Sequence, residues 1–343
     1  LVSMDPVTGA LQKTSALDAG PNPSFLAVHP SGHTLLAVNE ARDSAGAVRS
    51  FAIDAASGGL APLSGQSSEG SLPCYVSTDR TGYLAMAANY GSGTIALLPV
   101  SDAGTLSPAS QVVQHVVQHV VQQVGNGKIA ARQDRAHAHC IVAHPNNRFV
   151  LAADLGVDRV LVYGLDAGKG TLTHHEERDA VMPAGTGPRH LAFHPTLPLV
   201  FVTGELSSTV TALRCDPETS ALSSVQTLAT TPRGWTGENF PAHVQVDAAG
   251  RTLYVTNRGH NSIAVFSIAA GSGALALHQV LDTGGNWPRH FALDPTERWL
   301  LVANQRSGSL VVFTRDASSG LLAPASQRMD VVTPACIVFR PVR

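Results

Sequence analysis

Cysteine and charge are both scarce in this chain of 343 residues. Its four cysteines, Cys74, Cys140, Cys215 and Cys336, form no CxxC pair, which removes the common zinc and dithiol motifs. A chain this long buries a core without disulfides, so the four are expected as reduced thiols of an intracellular protein. Charged residues make up 14% and the net charge is −2, so the concentrated positive surface that nucleic acid or an anionic membrane requires is missing. No apolar run is long enough to span a bilayer as a helix. No GxSxG elbow is present, which argues against a serine acyl-enzyme. No signal peptide is visible and a cytoplasmic location is expected; the chain starts at Leu1 rather than Met, which leaves targeting upstream of it open.

Turn formers, by contrast, are plentiful: Gly 31 and Pro 21 are 52 of 343 residues, in a chain that is 44% hydrophobic. That mixture suits many short strands joined by many turns. A repeat confirms the pattern. An opening motif, an apolar strand, a turn and a second apolar strand recur from Pro23 (PSFLAVHPSGHTLLAVNE), Pro73, Ala138, Pro188, Pro241 and Pro288 (PRHFALDPTERWLLVANQ). A seventh copy starts at Pro334 (PACIVFRPVR) and ends with the chain. Between the copies lies a second signature, an acidic or small residue and a Gly-rich turn before Leu, at Asp5, Asp54, Asp102, Asp166, Asp216, Ala269 and Asp316. Each unit therefore holds four strands, a to d, at a period near 50 residues, the signature of a β-propeller blade.

The expected fold is all-β: one domain over 1–343, a seven-bladed propeller of four-stranded antiparallel blades. Strand a and the c–d turn occur seven times, strand b six times. The closing blade is thus expected to combine both chain ends and to lack one strand, placed upstream of Leu1. The intervals between copies are 50, 65, 50, 53, 47 and 46 residues. The long one holds a low-complexity insert, 107–135, containing QVVQHVVQHVVQQV. Its His115 and His119 have a metal-like spacing, but tandem repetition favours an expanded loop.

In such a blade the start of strand a and the end of strand b share one face. The first column reads Ser24, Cys74, His139, Arg189, Ala242, Arg289 and Ala335; the second reads Glu40, Tyr90, Leu155, Glu205, Arg258 and Gln305. Charged side chains therefore crowd one channel mouth, either as a salt-bridged funnel holding the blades in register or as a site. The recurring His190, His243 and His290, with Cys140 and Cys336 at the same position, read as packing. Thr236, Gly237, Glu238 and Asn239 lie in the connection entering the fifth blade, as a polar turn or as the rim of the site.

The phrases RAHAHC, DLGVDRVLVYGLD, GTGPRHLAFHP, TGEN, LYVTNRGHNSIAVFSI, WPRHFALDP and LLVANQRSGSLVVF resemble the lactonase family of seven-bladed propellers across nearly the whole chain. That resemblance implies lactone hydrolysis, best known for 6-phosphogluconolactone in the pentose phosphate route; a carboxymuconate cyclase is a relative. It also implies active residues at His139, Arg189, Glu205 and Arg258, all within the two columns. A neutral histidine can take a proton from water, and arginines can hold a phosphate, a carboxylate or an oxyanion. Glu205 is expected either to orient the imidazole or to act as base. His137, Arg289, Gln305, Glu238 and Asn239 are expected to contact substrate. Residues i and i+2 share a strand face, so His137 and His139 could exchange roles. No metal or other cofactor is expected, and no partner beyond the small sugar lactone; the chain is expected as a monomer or weak homo-oligomer. A cycloisomerase acting on a muconolactone and a non-catalytic scaffold are the competing readings.

Overall fold

A computed structural model describes residues 1–41, 46–115 and 130–340. His119 and the rest of 116–129 lie outside the described residues. Six antiparallel sheets follow one another along the chain, each ordered strand by strand as the sequence runs. Their innermost strands are Pro23–Val28, Pro73–Thr78, Ala138–Ala143, Pro188–Phe193, Phe240–Val246 and Pro288–Leu293. We number the blades 1 to 6 in that order. In blade 3 the outer position is shared by Thr171–His174 and Ala180–Val181, split by a 3₁₀ turn at Glu176–Arg178. Among the described residues no α-helix occurs, and no helix is long and apolar enough to cross a membrane.

The second strands show why the blades stack. Thr34–Asn39, Leu84–Asn89, Phe149–Asp154, Leu199–Gly204 and Trp299–Asn304 are buried at every position. A strand covered on both faces reads as a continuous apolar run rather than an alternation, which is the pattern of LAMAAN and LVFVTG. The outer strand Leu222–Ala229 is mostly solvated and carries Ser, Gln and Thr. Most c–d turns are knotted by an aspartate: Asp216 Oδ1 accepts the Thr219 N–H at 2.8 Å, and Asp316 Oδ1 accepts that of Ser319 at 2.7 Å. Gly320 closes the last of these turns at φ +73°, pressed against Thr252 of blade 5, where a side chain would be strained twice over.

Between blades 6 and 1 the structure differs from the other positions. A two-stranded sheet pairs Val2–Met4 with Leu11–Lys13, and Trp299 Nε1 of blade 6 donates to Pro6 O at 3.0 Å. Met4 and Leu11 pack with Ile337 and Phe339 against Leu301 and Val312. Residues 334–340 run along the channel there without ladder pairing: the Ile337 N–H reaches His290 Nδ1 at 3.3 Å, and Cys336 Sγ lies 3.9 Å from Leu26 O of blade 1. The described sheets are therefore six complete blades and a hairpin. The segment from Pro334 forms no strand because no neighbouring strand offers it a partner among the described residues.

Candidate active site

The opening of every inner strand carries a β-bulge. The ladder slips between Pro23 and Phe25, Pro73 and Tyr75, Ala138 and Cys140, Pro188 and Leu191, Pro241 and Val244, and Pro288 and His290. The residues left unpaired include Ser24, Cys74, His139, Arg189, Ala242 and Arg289, the first of the two columns. A bulge breaks the strict alternation of faces and re-aims a side chain, here into the channel mouth.

The second column is pinned by the residue before it. Asn39, Asn89, Asn257 and Asn304 each donate from Nδ2 to a carbonyl of the incoming connection: Ala19 (2.9 Å), Ser68 (2.8 Å), Thr230 (2.7 Å) and Thr283 (3.0 Å). Glu40 N then bonds Asn22 O, Tyr90 N bonds Leu72 O and Gln305 N bonds Trp287 O, at 2.9–3.0 Å, and Glu205, which follows Gly204 rather than an asparagine, makes the same backbone bond to Gly187 O at 2.8 Å. Repeating this anchor around the ring delivers side chains from several blades to one mouth.

They line a cavity of about 450 Å³. His139, Arg189, Glu205, Arg258 and Arg289 all face it, together with Glu40, Cys74, Tyr90, Asn22, Leu72 and Arg132. Glu205 is the centre of charge. Its Oε1 accepts from Arg132 Nη2 at 2.6 Å, and its Oε2 faces Arg189 Nε at 2.9 Å and Arg258 Nη2 at 2.6 Å. The two Oε2 contacts have ion-pair distances but bent geometry, so neither is an aligned hydrogen bond. Burial alone would push the Glu205 carboxyl up; Arg258, Arg189 and Arg132 outweigh it and hold the group well below the usual carboxylate range. Arg189, 1% exposed, is pulled down to about 9 by burial and by Arg258, and stays charged at neutral pH. Arg289 bonds Glu40 at 2.9 Å on the other side of the mouth. Four arginines against two glutamates leave two positive charges in excess.

His139 is buried, and burial followed by the Arg189 charge holds its imidazole well below the ordinary 6.5, hence neutral. Its Nδ1 lies 3.6 Å from Cys74 Sγ, and that thiol also sits 3.6 Å from His139 O and 3.8 Å from Ala138 O. Below these groups Phe25, Tyr75, His190 and His290 meet edge to face across the channel, with Phe25 of blade 1 reaching His190 of blade 4 at 5.5 Å between ring centres. The cavity therefore has an aromatic floor.

Four of the expected contacts lie elsewhere. His137 does not line the cavity: Nδ1 is bonded to Tyr90 O at 2.8 Å, Nε2 to Asp134 at 3.0 Å, and the ring is stacked on Tyr90. The bulge at His139 breaks the face alternation that would have paired the two histidines. Asn239 points its amide at Thr230 and Asn257 and so ties the connection together, while Glu238 is exposed. Gln305 keeps its backbone anchor to Trp287 O but stays out of the lining. Arg132 is the residue that column reasoning misses. It comes from a 3₁₀ turn, Ala130–Arg132, inside the insert, and donates from Nε to Tyr90 Oη at 2.9 Å. Its only signal was a basic residue in a connection on the mouth side. Among the described residues no group of three or more His, Cys, Asp or Glu side chains is arranged to hold a metal ion.

Comparison with known proteins agrees with this fold. Residues 1–339 match the family described as lactonase, 7-bladed beta-propeller. A Bacillus subtilis (strain 168) protein named 6-phosphogluconolactonase is 36% identical over 263 residues, covering 76% of this chain and 71% of that one. The solved structure of a Pseudomonas aeruginosa periplasmic gluconolactonase superposes with a TM-score of 0.92 at 31% identity, covering 100% of this chain and 94% of that one. A Lactobacillus plantarum protein of known structure gives 0.88 at 32%, covering 98% and 93%. The chain belongs to the lactonase family of seven-bladed β-propellers and is an enzyme of the lactone-hydrolysing, carboxylic-ester hydrolase class.

Proposed function

We propose that the chain hydrolyses a phosphorylated sugar lactone, 6-phosphogluconolactone, to 6-phosphogluconate. The observation that carries this is the excess of two positive charges in a cavity otherwise built for a small polar ligand. An uncharged lactone needs no such excess, whereas a phosphate dianion is matched by it. The Bacillus relative's name points the same way; the Pseudomonas neighbour's name, gluconolactonase, points to the unphosphorylated ring.

In this reading His139 is the base. The Cys74 thiol has two carbonyl oxygens to donate to, so its sulfur accepts the His139 Nδ1 proton and Nε2 keeps its lone pair for the cavity. Nε2 takes a proton from water as that water's oxygen bonds to the lactone carbonyl carbon. Arginine N–H groups receive the carbonyl oxygen as it becomes an oxyanion. The tetrahedral intermediate collapses by breaking the ring C–O bond, and the imidazolium returns its proton to the leaving alkoxide. Glu205, bound on both oxygens by arginines, is not the base; it holds three guanidinium groups together. On this reading the reaction is cytoplasmic and belongs to the pentose phosphate route, where a phosphorylated substrate is retained by the membrane. The hairpin at Val2–Lys13 and the segment 334–340 are taken as the two halves of the seventh blade.

The test is the background-corrected hydrolysis rate of 6-phosphogluconolactone against gluconolactone and carboxymuconolactone. Preference for the phosphorylated ring supports the proposal. Preference for gluconolactone removes the phosphate assignment, and turnover of carboxymuconolactone alone replaces hydrolysis with cycloisomerisation.

A further inference from the structure

Of the three histidines that recur below the site, His190 and His243 form a hydrogen-bond chain whose direction is fixed by Arg189, with His290 stacked on its end. A guanidinium only donates. Arg189 Nη1 lies 2.8 Å from Ala242 O and 3.1 Å from His190 Nε2, so His190 Nε2 is an acceptor and the neutral ring carries its proton on Nδ1. That Nδ1 is 3.0 Å from His243 Nδ1, which must accept in turn, leaving the His243 proton on Nε2. His243 lies flat on His290 at 3.8 Å, and His290 Nδ1 accepts the Ile337 N–H. The backbone holds the rings in place: Thr203 Oγ1 and Thr256 Oγ1 accept the N–H groups of His190 and His243 at 3.0 and 3.1 Å, within the bulges.

With Nη1 tied to the floor and Nε against Glu205 Oε2, Nη2 makes no hydrogen bond to protein among the described residues. Arg189 lines the cavity, so Nη2 is its donor toward substrate. We propose that His190 and His243 are positioning residues, a tautomer-locked hydrogen-bond chain that sets the guanidinium plane of Arg189 so that Nη2 faces the reacting carbonyl or its charged neighbour. A neutral acceptor is the requirement here. A carboxylate at position 190 would also hold Arg189, but it would cancel positive charge that an anionic substrate needs. The catalytic part of this proposal rests on the lactonase reading; the chain itself does not.

Two measurements test it. In ¹⁵N-histidine-labelled protein at pH 7, two-bond ¹H–¹⁵N correlations should show His190 protonated on Nδ1 and His243 on Nε2, both neutral. This readout needs no substrate, so it separates failure of the chain from failure of the lactonase assignment; a His190 protonated on Nε2 overturns the proposal. In lactone hydrolysis, His190→Leu should lower kcat about 10²-fold, the cost of misplacing a donor by roughly an ångström, with a smaller change in KM. His190→Gln, whose amide oxygen reaches the Nε2 position, should recover most of the loss. His243→Asn, which keeps an acceptor near Nδ1, should outperform His243→Leu in the same way. Equal losses in the Leu and amide variants of folded protein, judged by near-ultraviolet circular dichroism, would reduce the histidines to packing. Should His190→Leu not fold, the wild-type tautomers and the His243 pair decide.

Discussion

Arg132 Nη2 sits 2.6 Å from Glu205 Oε1, which joins a residue outside the propeller repeat to the carboxylate at the centre of the cavity. Arg132 is also the most exposed member of the clamp, with a third of its side chain accessible. It is placed to meet an incoming anion first. Arg132→Ala should raise KM for 6-phosphogluconolactone about 10-fold, the lower end for a charged hydrogen bond that solvent partly screens. KM for the unphosphorylated ring and kcat for both should change far less. Steady-state kinetics on the two lactones checks this; equal effects on both would remove Arg132 from phosphate binding.

Removing the carboxylate from the clamp should be costly to the fold. Glu205→Gln leaves Arg189 and Arg258 buried, close together and uncompensated. Breaking a buried pair by deleting one partner costs about 3–5 kcal/mol. Urea unfolding should show a loss of that order, accompanied by loss of turnover. A Gln variant as stable as wild type would mean that the arginines do not depend on Glu205.

His139→Ala should lower corrected turnover about 10²–10⁴-fold, the range for a positioned acid–base group. In the wild type, burial and Arg189 hold His139 below 6.5. The acid limb of kcat/KM should accordingly fall below pH 6.5. A limb at or above 6.5 would point to a different base.

Stability should depend on pH in the same direction. His139, His190, His243 and His290 are all held below the ordinary 6.5, first by burial, with His243 pushed down to about 3. The unfolded chain then binds more protons than the folded one below pH 6.5. Stability contributed by these neutral rings is complete above 6.5 and is lost as pH falls, by up to about 1.4 kcal/mol per pH unit for each ring. The melting temperature should be flat with respect to these groups above pH 6.5 and decline below it. A rise in Tm on acidification from 6.5 to 5 would contradict the burial of these rings as neutral groups.

Much of this was legible because the repeat carries it. Five inner strands begin at the residue the repeat marks, and the sixth begins one residue early, at Phe240. The columns converge because the same bulge recurs in all six blades and the same asparagine anchor in four of them. Where local structure departs from the repeat, the sequence misleads. Strand alternation puts His137 beside His139, and the bulge between Ala138 and Cys140 separates them. The column includes Gln305, yet Arg289 and Glu40 line that part of the mouth. Arg132 belongs to an insert with no counterpart in other blades, so no column could assign it a face. The tautomers of the floor histidines follow from a donor–acceptor sequence in three dimensions, and no spacing along the chain encodes that.

The aromatic floor has a consequence for traffic. Because Phe25, Tyr75, His190 and His290 close the axis beneath the cavity, the vestibule is blind. A ring-opened acid must leave by the doorway its precursor used, and it carries one more negative charge than that precursor. If the arginines gather substrate as proposed, they also hold the more negative acid. On the proposed reading, accumulating acid therefore competes with the incoming lactone for the same doorway.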